Sequence, residues 1–161
     1  MYLQSLISVA ISGGLLFGAV TTAMANPTES SEQLLLSRRE QAQTLYQQGV
    51  LQYEKGDLAA AIALYTESLE LDPSSAITYS ARAGAWGQQG DNAAAIADYS
   101  AAITIYDDLA AAYGGRGLAL SLEGDYTNGV NDLWTAAQLF RQQDQLSQYT
   151  RTLNIIKNIA P

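Results

Sequence analysis

Three Gly-Asp dipeptides, Gly56-Asp57, Gly90-Asp91 and Gly124-Asp125, stand 34 residues apart. A fixed period of that size marks stacked structural units, each too small to bury its apolar face alone. The rest of the chain falls into columns around these pairs. Four residues past each Asp are Ala61, Ala95 and Gly129, all small. Eight past are Tyr65, Tyr99 and Leu133, all large, and eleven past are Ser68, Ala102 and Ala136, small again. Gly49, Ala83 and Gly117 lie seven before each Gly. Helices pack closely where a small side chain on one faces a bulky one on the other. Glycine accepts the positive φ that ends a helix, and the following Asp caps the next helix at its positive end. Each Gly-Asp pair therefore reads as the hinge of a helical hairpin.

A 34-residue unit with small, Gly-Asp, small, aromatic and small residues at these offsets resembles the tetratricopeptide repeat. The resemblance implies an all-α, right-handed α-solenoid of three hairpins (42–75, 76–109 and 110–143, together 42–143) followed by a capping helix over 144–161. Pro73 matches the proline that ends a unit in this family; Asp107 and Arg141 stand there in the other two units, whose turns are less well determined. Gly129, where Ala is usual, is expected to loosen the second helix of the third unit. In the final stretch, Leu146, Tyr149, Leu153, Ile156 and Ile159 recur at helical spacing, with Gln, Asn and Thr on the other side, as a capping element requires. The wording "AAQLFRQQDQLSQYTRTL" is similar to the ends of many cyanobacterial tetratricopeptide proteins, which implies a periplasmic or thylakoid-lumenal setting.

Residues 1–28 carry no charged side chain. The apolar run from Leu6 to Val20 is followed by Ala23-Met24-Ala25, the small-x-small pattern of a signal peptidase site, with cleavage before Asn26. Fifteen helical residues rise about 22 Å, short of the ~30 Å hydrocarbon core. A signal peptide over 1–25 follows from these points. The n-region has no Lys or Arg, however, and residues 3–24 together are long enough for an uncleaved membrane anchor. Either reading exports the domain. Residues 26–41 read as a linker and the start of the first helix, with Ser30 or Ser31 as cap near Glu32.

Sixteen acidic against eight basic side chains give a net charge of −8, which disfavours nucleic acid as a partner. The chain has no Cys and no His, so thiolate and imidazole chemistry is excluded and no zinc site of those ligands can form. "GGRG" (114–117) lacks the strand before it and the Lys-Ser/Thr ending of a phosphate loop. No catalytic, metal or cofactor residue is assigned, and the chain does not read as an enzyme. Trp86 and Trp134 are assigned to packing faces.

Two further columns pair. Arg82 and Arg116 share one, Asp98 and Asp132 another, and the first unit has Gln48 and Leu64 in these places. The joint presence and absence predicts an Arg/Asp pair bridging the two helices of units two and three. The family resemblance places the concave groove at Tyr46, Val50 and Tyr53, then Ile77, Ser80, Gly84 and Gly87, then Ala111, Gly114, Leu118 and Ser121. These columns lack the Lys, Arg and Asn with which well-known members grip a terminal carboxylate. They suit a protein or peptide segment with apolar side chains. Leu34, Leu35 and Leu36 need cover, either by filling part of that groove or in a homodimer contact. The expected role is a non-catalytic interaction module, an exported scaffold or assembly factor. The alternative is a permanently anchored subunit of a membrane complex.

Overall fold

Each Gly-Asp pair closes one helix and opens the next. Gly56, Gly90 and Gly124 have φ of 81°, 93° and 90°. The residue after each glycine donates its N–H back across the turn, Asp57 to Gln52, Asp91 to Trp86 and Asp125 to Leu120, at 2.9–3.0 Å, which satisfies carbonyls left open at the helix end. The same three Asp side chains then accept from the N–H groups of Ala60, Ala94 and Asn128 in the following helix.

A computed structural model describes residues 27–159 of the chain, with side-chain surroundings from residue 30. The export segment with Ala23, Ala25 and Asn26 lies outside the described residues. Seven helices follow in order among those described: α1 (Pro27–Glu54), α2 (Leu58–Leu71), α3 (Ala76–Gln89), α4 (Asn92–Ile105), α5 (Ala110–Leu122), α6 (Tyr126–Gln142) and α7 (Leu146–Ile159). Each packs on its neighbours in sequence. In addition α1 touches α3 and α3 touches α5, so these three helices form one continuous inner row.

The small columns are where helices meet. Ala61, Ala83, Ala95, Ala102 and Ala136 are fully buried. Gly49 faces the ring of Tyr65, and a Cβ there would overlap it at 2.6 Å. Gly129 sits where α5 and α6 come closest. A Cβ on it would sit 2.7 Å from the Gly117 carbonyl oxygen and 2.3 Å from Ser121 Oγ, so glycine lets α5 and α6 approach more closely than Ala would.

The turns between hairpins differ as their sequences do. After α2, Asp72 accepts from the N–H and hydroxyl of Ser74, and Ser75 caps α3 through Thr78 N–H. Leu109 gives α5 no side-chain cap; Gln143 instead donates to the Asp108 carbonyl at 2.8 Å from the end of the next hairpin. The second helix of the third hairpin, α6, runs on to Gln142. Its turn into α7 repeats the Gly-Asp geometry with Asp144 at φ 56°.

Three sequence expectations change. First, α1 begins at Pro27 rather than near Glu32, because proline at the first helical position has its φ preset and needs no N–H partner. Residues 30–41 are all exposed, and Leu34, Leu35 and Leu36 retain more than half of their surface. This half of α1 does not fill the groove. Leu35 continues the stripe of Ala42 and Gly49 at seven-residue steps, but α2 is half as long as α1 and stops short of it. Second, Trp134 is 46 % exposed. Its neighbour Leu133 takes the buried column, which turns the indole about 100° away around the helix. Trp86 does pack on the first core cluster, beside Tyr65 and Ala85. Third, in α7 Thr152 and Ile156 are buried while Leu146 is 63 % exposed, so one of the polar residues assigned to the outer side of the cap faces inward.

Candidate functional site

The concave face is built by the inner row. Three adjoining cavities run along it, of about 340, 420 and 220 Å³. The first is lined by Val50, Tyr53, Tyr65, Ser80, Ala81, Gly84, Tyr99 and Ala111. It shares Tyr53, Gly84 and Tyr99 with the second, which adds Gly87, Gln88, Asn92, Leu118 and Leu122 among others. The second shares Gly115, Leu118 and Arg151 with the third, which ends against Phe140, Gln148, Thr152 and Ile155. The result is one groove with a floor of small residues and walls of aromatic and aliphatic side chains.

Eight of the expected groove residues line it: Val50, Tyr53, Ser80, Gly84, Gly87, Ala111, Gly114 and Leu118. The other three do not. Tyr46 is half-buried in the first core cluster, its ring 5.8 Å from that of Tyr65. Ile77 is 59 % exposed but lines none of the three cavities. Ser121 is buried, and its hydroxyl donates to the Gly117 carbonyl at 2.8 Å, toward α6.

Of the lining residues that were not foreseen, three shape the groove most. Tyr99 reaches from α4 between two inner helices; its ring lies where a Cβ on Gly115 would be, and its hydroxyl is 3.6 Å from the Cβ position of Gly84. In the preceding unit Ala81 holds this column and packs on the cluster that contains Tyr65, so the change from Ala to Gly is the signal that Tyr99 comes closer to the inner helix. Burial, followed by the nearby Tyr53, pushes the Tyr99 phenol up to about 12. Gly115 and Arg151 are the other two. Tyr53 is held at the rim by Gln88, whose side-chain N–H donates to its hydroxyl at 2.5 Å.

Behind the groove, the Arg/Asp columns meet as the sequence suggests. Arg82 donates to Asp98 through Nε at 2.7 Å and a terminal nitrogen at 2.8 Å, a two-pronged pair. Its remaining terminal nitrogen donates to Thr66 of α2 at 3.0 Å, and its guanidinium lies 5.6 Å from the Tyr79 ring centre. Arg116 repeats every contact one unit later, with Asp132 at 2.7 and 2.9 Å, Ser100 at 3.2 Å and the Tyr113 ring at 5.7 Å. The hydrogen bond it donates to its Asp is the main reason each guanidinium is raised above its usual value, against the opposing effect of burial. Each clasp thus joins three helices. The first unit, with Gln48 and Leu64 in these columns, has neither partner of such a clasp.

Among the described residues no group of three or more acidic side chains is placed to hold a metal ion, and no helix is long and apolar enough to cross a membrane.

The fold and the groove define an α-helical repeat protein with a concave inner face. A tetratricopeptide repeat family model matches residues 30–76 and 46–110, together just over half of the sequence, and the chain belongs to that family. Among solved structures, it is similar to the TPR2B domain of yeast Sti1 in a complex with pHsp70, at 23 % identity and a TM-score of 0.72 over 75 % of this chain and 97 % of that one. It is similar to the first TPR of Spaghetti (RPAP3) bound to the HSP90 peptide SRMEEVD, at 22 % identity and TM-score 0.62 over 72 % and 95 %. A third is the type III secretion translocator chaperone SycD of Yersinia enterocolitica, at 18 % and 0.68 over 74 % and 92 %. At these identities the likeness is one of fold. No curated protein sequence matches the chain.

Proposed function

We propose that this protein is a non-catalytic interaction module that takes a partner's peptide segment, rich in apolar side chains, into the concave groove. The observation that carries this reading is the run of three adjoining cavities with small floors and apolar walls. An apolar side chain set into such a floor removes its own surface and that of the walls from water. Relatives by fold that are solved with peptides support the same use of the scaffold. The uncharged apolar N-terminal stretch supports an exported scaffold or assembly factor, in the periplasm or thylakoid lumen, freed by cleavage before Asn26 or held by residues 3–24. The exposed Leu34, Leu35 and Leu36 support a second contact, between two copies of the chain.

Leu118 lines two of the cavities and is 39 % exposed, so a charge there spoils the groove without entering a core. Leu118→Glu is expected to abolish capture of partners from the native cell envelope at unchanged helicity. Undiminished capture would move the interaction to another face.

A further inference from the structure

The groove differs in charge from the rest of the molecule. The chain has twice as many acidic as basic side chains, yet no carboxylate lines any of the three cavities. One cation does, Arg151 of α7. The two arginines behind the groove are already engaged, each by one carboxylate and one hydroxyl. Arg151 is different: it is exposed and makes no ion pair with any described residue. A guanidinium offers five N–H donors in a planar fork matched to a carboxylate. Here that fork stands beside Leu118 and the glycine floor with no carboxylate among the described residues paired to it.

Its place along the groove decides which carboxylate. Arg151 lies where the second and third cavities adjoin, with space running toward Tyr53 and Tyr99 on one side and toward Phe140 and Ile155 on the other. A chain terminus held at Arg151 would leave one side empty. A segment passing through would fill both and set a side chain at the cation.

We propose that Arg151 anchors an internal Asp or Glu side chain of the partner segment, flanked on both sides by apolar residues. The proposal rests on the groove reading above and adds the charge and register of its occupant. A seated segment excludes water from around the pair, so the two-pronged contact is stronger than one on an open surface. The apolar flanks supply affinity, and the carboxylate fixes where along the groove each flank lies.

The test uses the full chain and a bead library of random apolar peptides, amidated at the C-terminus, whose central position is Glu, Gln or Lys. The wild type is expected to retain central-Glu peptides over their Gln counterparts by about tenfold, the size of one charge-assisted contact. Arg151→Gln should remove that preference, and Arg151→Glu should turn it toward central Lys, at unchanged helicity because the side chain is exposed. Equal retention of Glu and Gln peptides, or a Glu preference that survives Arg151→Gln, overturns the anchor. If Leu118→Glu still abolishes retention in that case, the groove reading stands without it. A parallel library with free C-termini and neutral centres, if retained through Arg151 in preference to central Glu, would assign the cation to a terminal carboxylate and overturn the internal one. No retention of any peptide would overturn groove and anchor together.

Discussion

Asp98→Ala tests the clasp that joins the second hairpin to the first. In the wild type Asp98 accepts two hydrogen bonds from Arg82, and their side chains are 11 % and 18 % exposed. Without Asp98, two of the guanidinium's donors lose their acceptor in a place where water reaches them poorly. The pair is more enclosed than a surface ion pair, whose worth is under about 1 kcal/mol. It is less enclosed than a fully buried one, whose breakage costs about 3–5 kcal/mol. A loss of about 2–3 kcal/mol lies between these limits and agrees with the worth of hydrogen bonds to charged groups. Arg82→Ala should cost about the same, since it strands a nearly buried carboxylate and also releases Thr66. The double variant leaves no orphaned charge and should lose only about 3 kcal/mol, giving a coupling energy on the order of 2 kcal/mol. Urea unfolding followed by both far-ultraviolet circular dichroism and tryptophan fluorescence measures it. With an m-value of about 2 kcal/mol per molar, each single change should lower the midpoint by about 1 M. Single losses that sum to the double within about 0.5 kcal/mol would refute the coupling, and Thr66→Val costing as much as Asp98→Ala would refute the assignment of the carboxylate as the main partner.

Two further outcomes are expected. Asp144 occupies the left-handed region in which the other hinges place glycine. Asp144→Gly should therefore raise stability by about 0.5 kcal/mol, the relief of strain less the entropy of a freer unfolded chain; an unchanged or lower thermal midpoint would count against it. Burial is the chief cause raising both Tyr65 and Tyr99 from 10.0 to about 12. The folded state then holds these protons more tightly than the unfolded chain, so their contribution is complete below pH 10 and is lost as pH rises toward 12. Chemical denaturation across that range should show a steeper alkaline decline for the wild type than for Tyr65→Phe/Tyr99→Phe, and equal slopes would remove the two phenols from the account.

What could be read in advance was what repeats. The hinges at Gly56, Gly90 and Gly124, their Asp caps and the small columns depend on contacts within a unit or with its neighbour, so the same residue types return every 34 positions. The Arg/Asp clasp was legible for that reason, although its third arm to Thr66 and Ser100 was not, because a hydroxyl on a helix usually bonds its own backbone. Arg151 had no counterpart to be compared with. Its place in the groove depends on how α7 settles on α6, a contact made once. Ser121 and Trp134 show a second limit. A helix position one residue or one column away from the expected one faces a different neighbour, and Ser121 went inward because Gly129 left room for it. The start of α1 escaped because Ser30 and Ser31 offer caps that Pro27 makes unnecessary.

The clasp has a consequence for how such a chain can grow. Residues 76–109 hold an arginine that reaches back, an aspartate that meets it, and in Ser100 the hydroxyl that the following arginine requires. The segment is thus a complete module, taking one bond from its predecessor and offering the same bond to its successor. A tandem copy placed after Leu109 would find Ser100 ready for its own arginine and would present a second Ser100 to Arg116. Two side chains at the first junction would have to change: the copy's Ala81 would meet Tyr99 where Gly115 now leaves room for it, and Leu109 would stand where Ser75 caps α3. With glycine and serine in those places the groove would lengthen by one hairpin.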